Sequence, residues 1–143
     1  RLRPVACGTI KTDEKEPIAE RLVVLHKGLE QAIALWQPEE AAVEETFVNT
    51  NARSTLKLGL ARGVAMVIPA LLGIPVAEYS ATYVKKAVVG AGHADKDQVG
   101  MMVRRLLPGI DIKSADAADA LAVAICHAHL GQSQKFMEKA KKS

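Results

Sequence analysis

The sequence predicts an α/β protein with parallel strand pairings, and three observations predict it. Short apolar segments of strand length alternate with longer segments of helical periodicity. Hydrophobic residues make up 49% of the 143 residues against 24% charged, enough for a substantial core and one domain over residues 1–130. Two aspartates three positions apart, Asp116 and Asp119, sit among alanines just ahead of the apolar run Leu121-Ala122-Val123-Ala124-Ile125, where a helix would hold both carboxylates on one face.

Taken in order, residues 4–11 read as a strand, with β-formers around Gly8, and residues 12–17 as a charged loop. Leu22, Leu25, Leu29, Ile33 and Trp36 recur at three and four residues, the mark of an amphipathic helix that Pro38 ends. Residues 41–45 form a short apolar strand finishing in Glu44 and Glu45, and residues 46–53 a polar loop with Phe47 as its one aromatic. A helix over residues 54–72, capped by Ser54, is apolar on nearly every face. It therefore needs cover on both sides, and a second copy of the chain would supply it. A strand over residues 76–79, a short helix near 82–88, a loop at 90–93 and a helix from Asp95 to Leu107 follow. Pro108 and Gly109 break the chain before the aspartate helix, read as residues 115–130. Residues 131–143 are polar and lysine-rich, the composition of a basic flexible tail. There is no internal repeat.

Composition narrows the classes of function. The longest uncharged apolar stretch, residues 63–77, has 15 residues broken by Pro69, Gly73 and Pro75, whereas a bilayer span takes roughly 20. Residues 1–11 lack the long apolar segment of a secretory signal, so the expectation is a cytoplasmic protein with no membrane partner. Cys7 and Cys126 lie far apart in apolar surroundings and read as reduced core thiols. Cys126 with His127 and His129 lacks a fourth ligand at zinc spacing. Charge is uneven: residues 1–50 carry 6 basic and 9 acidic residues (−3), and residues 51–143 carry 13 and 7 (+6), giving the net +3. The later part can offer basic faces to a polyanion.

On the residues alone, the aspartate pair has two readings. Two carboxylates a turn apart repel unless a cation sits between them, and a divalent metal is the natural partner; yet acids in a first helical turn also simply complement the macrodipole. Glu44 ends a buried strand, where open α/β sheets bind ligands, but a solvated strand end is as good a description. If the two features converge, three carboxylates make the oxygen-rich site that magnesium or manganese prefers, able to activate water and stabilise the leaving oxygen of a phosphodiester.

The words around these acids go further. Val43-Glu44-Glu45-Thr46-Phe47, Asn51, and Ser54-Thr55-Leu56-Lys57-Leu58-Gly59-Leu60-Ala61-Arg62-Gly63-Val64-Ala65 closely resemble the segment after the acidic strand of the RuvC family, the bacterial Holliday junction resolvases. So do Val84-Lys85-Lys86-Ala87-Val88-Val89-Gly90-Ala91-Gly92, Ala94-Asp95-Lys96-Asp97-Gln98-Val99 and Ala115-Asp116-Ala117-Ala118-Asp119-Ala120-Leu121-Ala122, and the likeness runs in order through residues 1–130. The resemblance implies a ribonuclease H-like mixed sheet flanked by helices, a homodimer through the 54–72 helix, and Mg2+-dependent (or Mn2+-dependent) paired nicking of four-way DNA junctions. It implies that Glu44, Asp116 and Asp119 bind metal and that Lys85 and Lys96 act catalytically beside the scissile phosphate. It also implies that Phe47 stacks on an unpaired base, that Asn51 and Arg53 contact DNA, and that the RuvA and RuvB branch-migration complex is a partner. Without it, core packing for Phe47 and a solvated surface for each lysine would be the preferred readings.

The chain departs from the family in one respect. The family's fourth acid lies on its first strand in a Gly-Ile-Asp-Pro-Gly type segment, and no such segment stands ahead of Arg1; residues 4–11 match the third strand instead. The expectation is a sequence that starts inside a longer natural protein whose complete form is a nuclease. The alternative is a non-catalytic junction-binding scaffold that lacks one metal ligand.

Overall fold

The computed structural model of the chain describes residues 2–45 and 50–142, with side chains described as far as residue 130. Seven elements follow one another: α1 (Ile18–Trp36), β1 (Ala41–Glu44), α2 (Ala52–Leu71), β2 (Val76–Tyr79), α3 (Ala81–Val89), α4 (Lys96–Leu106) and α5 (Ala115–Lys142). They fall into two compact units, Thr9–Glu78 on the one hand and Arg1–Gly8 with Tyr79–Ser143 on the other, where composition suggested a single domain.

In the Thr9–Glu78 unit, α1 lies against α2, and β1 and β2 pair in parallel as a two-stranded sheet with α2 as their crossover. A parallel pair needs such a crossover because no tight turn can return the chain in the same direction. Arg62 on α2 fixes the arrangement: its Nε donates to the carbonyl of Glu44 at 3.0 Å and its guanidinium pairs with Glu78. The strand expected over residues 4–11 is absent, because a strand needs a ladder partner and none pairs with it among the described residues. Ile10 instead lies over Gly28 of α1, where an added Cβ would stand 2.7 Å from its Cδ1.

Caps account for the helix boundaries. Pro38 does stop α1, assisted by Gln37, whose left-handed backbone (φ 48°) lets its N–H return to the Ile33 carbonyl. The cap of α2 is Asn51, whose Oδ1 accepts from Ser54 N at 3.2 Å, so the helix starts before the expected Ser54. Ser80 caps α3 by accepting from Tyr83 N. Asp95 and Gln98 form a reciprocal capping box on α4. Ser114 Oγ accepts from Ala117 N at the head of α5. The backbone of α5 runs past the expected end at residue 130 to Lys142, since Gln132, Gln134, Lys135, Met137 and Glu138 are good helix formers with no proline to stop them.

Helices α3, α4 and α5 pack on one another and carry the core of their unit, with Val84, Val88, Val99, Val103, Ala122, Ile125 and Cys126 buried. In contrast, α1 has no buried residue and α2 only Ile68 and Pro69. By length and composition α2 (mean hydropathy 1.3) would suffice to cross a bilayer. Arg62 in its middle is instead held by β1 and Glu78, so the helix is built into the α/β unit.

Candidate active site

The three helices of the Tyr79–Ser143 unit bring four of the expected residues onto one small structure. Asp116 and Asp119 occupy the first two turns of α5, Lys96 opens α4, and Lys85 lies in the middle of α3. The sequence folds this way because the inward face of α5 is made of Ala117, Ala118, Leu121 and Ala122, all buried, so α5 packs closely on its neighbours. That burial turns Asp116 outward and leaves Asp119 partly covered.

Lys96 Nζ stands 3.9 Å from Asp119 Oδ2, with the lysine side chain 81% and the aspartate 41% exposed. In so open a setting this ion pair is worth little for stability, on the order of 0–1 kcal/mol. Its significance is electrostatic: a mobile cation and a pair of carboxylates share one surface. Beside them a recess of about 530 Å³ opens between α4 and the start of α5, bordered by Lys96, Arg104, Lys113, Ser114 and Asp119. Arg104 and Lys113 did not stand out in the sequence; only the excess of basic residues after position 50 hinted at them.

Glu44 is the exposed last residue of β1 and belongs to the Thr9–Glu78 unit. Among the described residues no three His, Cys, Asp or Glu side chains are grouped as a metal site. What α5 does present is a pair of carboxylates on one face. That fits a hard cation such as Mg2+, which is bound through one or two carboxylates plus water and substrate phosphate rather than by an all-protein cage. Asn51 Oδ1 is engaged as the α2 cap, and Arg53 follows it, exposed, in the first turn. Phe47 lies outside the described residues.

Comparisons with known proteins show the family and the fold. The family model described as crossover junction endodeoxyribonuclease RuvC matches residues 1–127. A protein of that name from Paramagnetospirillum magneticum is 60% identical over 140 residues, covering 98% of this chain and 84% of its own. Another from Gluconacetobacter diazotrophicus is 64% identical over 129 residues, covering 90% of this chain and 77% of its own. Among solved structures, T. thermophilus RuvC in complex with a Holliday junction substrate superposes with a TM-score of 0.80 at 35% identity, covering 87% of this chain and 76% of that one. The α/β class and the ribonuclease H-like fold expected from the sequence are therefore those observed.

Proposed function

We propose that this chain, which belongs to the RuvC family of crossover junction endodeoxyribonucleases, nicks opposing strands of four-way DNA junctions with a divalent ion held by Asp116 and Asp119. The observation that carries the reading is the head of α5, where Asp116 and Asp119 stand one turn apart and Asp119 faces Lys96 at 3.9 Å beside a recess bordered by further cations. A metal and a phosphodiester are the ligands that such mixed charge accommodates together.

When bound, Mg2+ or Mn2+ supplies an activated water and a counter-charge for the leaving oxygen. The chain's own residues do the rest. Asp116 and Asp119 fix the ion on a rigid helix. Lys96, on a flexible stem, swings from Asp119 to a nonbridging oxygen of the scissile phosphate, and Lys85 meets the same charge from α3. Phe47 stacks on a base opened at the junction centre, and Asn51 and Arg53 at the head of α2 meet the sugar-phosphate backbone. A homodimer formed through α2 presents two such sites to two strands of like polarity. What supports it is the stripe Leu56, Leu60, Val67 and Leu71, all exposed on the single chain. The cytoplasm, and there the RuvA and RuvB branch-migration complex, is the setting we assign.

A cleavage assay on a synthetic four-way junction, run with this chain and with a version extended upstream, tests the reading. Asp116→Asn and Asp119→Asn should each lower the cleavage rate at least about a hundredfold while junction affinity stays within about threefold, since the acids hold metal and contribute no attraction to DNA. Normal cutting by either variant refutes the metal assignment.

A further inference from the structure

The interior of the helical unit contains a polar link that the proposed chemistry does not use. Tyr79 Oη and His127 Nδ1 are 2.6 Å apart, with Tyr79 only 8% exposed and His127 partly buried. Tyr79 also stacks on Tyr83, ring centroids 5.7 Å apart and planes within 15°. Between the two tyrosines lies Ser80, whose hydroxyl accepts from Tyr83 N to cap α3. Tyr79 is thus fixed to the head of α3, the helix that carries Lys85, while His127 stands on α5, the helix that carries Asp116 and Asp119.

The rest of the buried face of α5 is apolar: Ala117, Ala118 and Ala122 with Leu121, Val123, Ile125 and Cys126. Apolar burial holds the helix close but is non-directional. A hydrogen bond at 2.6 Å has both a length and an angle to satisfy. His127 is 11 residues beyond Asp116, about three turns, so it lies on nearly the same face of α5 as that acid. Fixing the azimuth of one fixes the other.

We infer that the Tyr79–His127 hydrogen bond sets the register of α5 against α3, and through it the placement of the aspartate pair relative to Lys85. Tyr79 and His127 are then positioning residues. A slip of one residue along α5 moves an acid about 1.5 Å axially and 100° in azimuth, and misplacement of about 1 Å at a reacting centre can cost a hundredfold. The inference rests on the roles proposed above for Asp116, Asp119 and Lys85.

Tyr79→Phe removes one oxygen and keeps the ring stack. In the whole chain it should slow single-turnover junction cleavage about tenfold with junction affinity unchanged. Amide exchange over residues 115–119 should quicken about tenfold, a readout that needs no cleavage. His127→Asn, whose amide can meet the tyrosine hydroxyl near the Nδ1 position, should recover most of the rate, whereas His127→Ala should behave as Tyr79→Phe. Ile68→Val, buried in the other unit, provides a variant of lowered melting temperature that should cut at the normal rate. Unchanged exchange over 115–119 in Tyr79→Phe overturns the inference, as does a rate loss that Ile68→Val reproduces at equal melting temperature. Asp116→Asn in the same assay separates the two levels: if it is inactive while Tyr79→Phe is normal, only the register role falls, and if it too cuts normally, the functional reading falls.

Discussion

The two compact units of this chain solve the problem of apolar surface in opposite ways. In the Tyr79–Ser143 unit, three helices close around their own core: Val103 is 0% exposed and Ala122 and Cys126 1%. In the Thr9–Glu78 unit, Leu56 is 70% exposed, Leu71 76% and Trp36 51%, and α1 buries nothing fully. Hydrophobic content is therefore a poor guide to where a chain is self-sufficient. The well-packed unit carries the acids, whose placement must be rigid, and the loosely covered unit carries the surface we assign to a second copy.

The sharpest way to break that contrast is to charge the exposed stripe of α2. Leu56→Glu with Leu60→Glu should raise the dimer dissociation constant about a hundredfold or more, read by sedimentation, because an unpaired carboxylate buried at an interface costs several kcal/mol. Unaltered sedimentation would mean the stripe serves something else.

Stability should divide along the same line. Val103→Ala removes two buried methyl groups and should cost about 2 kcal/mol in denaturant unfolding, whereas Leu71→Ala, studied at monomer concentrations, should stay within about 0.5 kcal/mol. A smaller loss, about 1 kcal/mol, is expected for Asp95→Ala, which removes half of the α4 capping box and frays the turn that presents Lys96.

Finally, the two thiols report on packing with little perturbation. Burial pushes the Cys126 thiol above its ordinary value, so at pH 8 it holds less thiolate than usual and should react slowly with a disulfide reagent, gaining speed only as pH climbs beyond the normal thiol range. Cys7, partly exposed, should react first. Equal rates at pH 8 would show that the helical core opens readily.

Much of this was legible before any coordinates. The three-and-four spacing of Leu22, Leu25, Leu29 and Ile33 gave α1 and Pro38 its end, because helix periods and breakers are local physics. The strand expected at residues 4–11 failed for a nonlocal reason: β-propensity without a ladder partner does not make a strand. The start of α2 was misplaced because Asn51 and Ser54 are both good caps, and only the folded backbone chooses between them. Tyr79 and His127 left no trace in the pattern, since nothing in a one-dimensional reading couples positions 48 residues apart.

The amino-acid order alone determined the α/β class, most helix limits, the likeness to junction resolvases and the identity of the acids and lysines at issue, since these depend on near neighbours or on whole words of sequence. Tertiary structure alone decided that Lys96 stands against Asp119, that cations border a recess beside them, and that α2 carries an exposed apolar stripe. Those facts depend on which faces of separate helices meet, and that is settled by packing summed over the entire core.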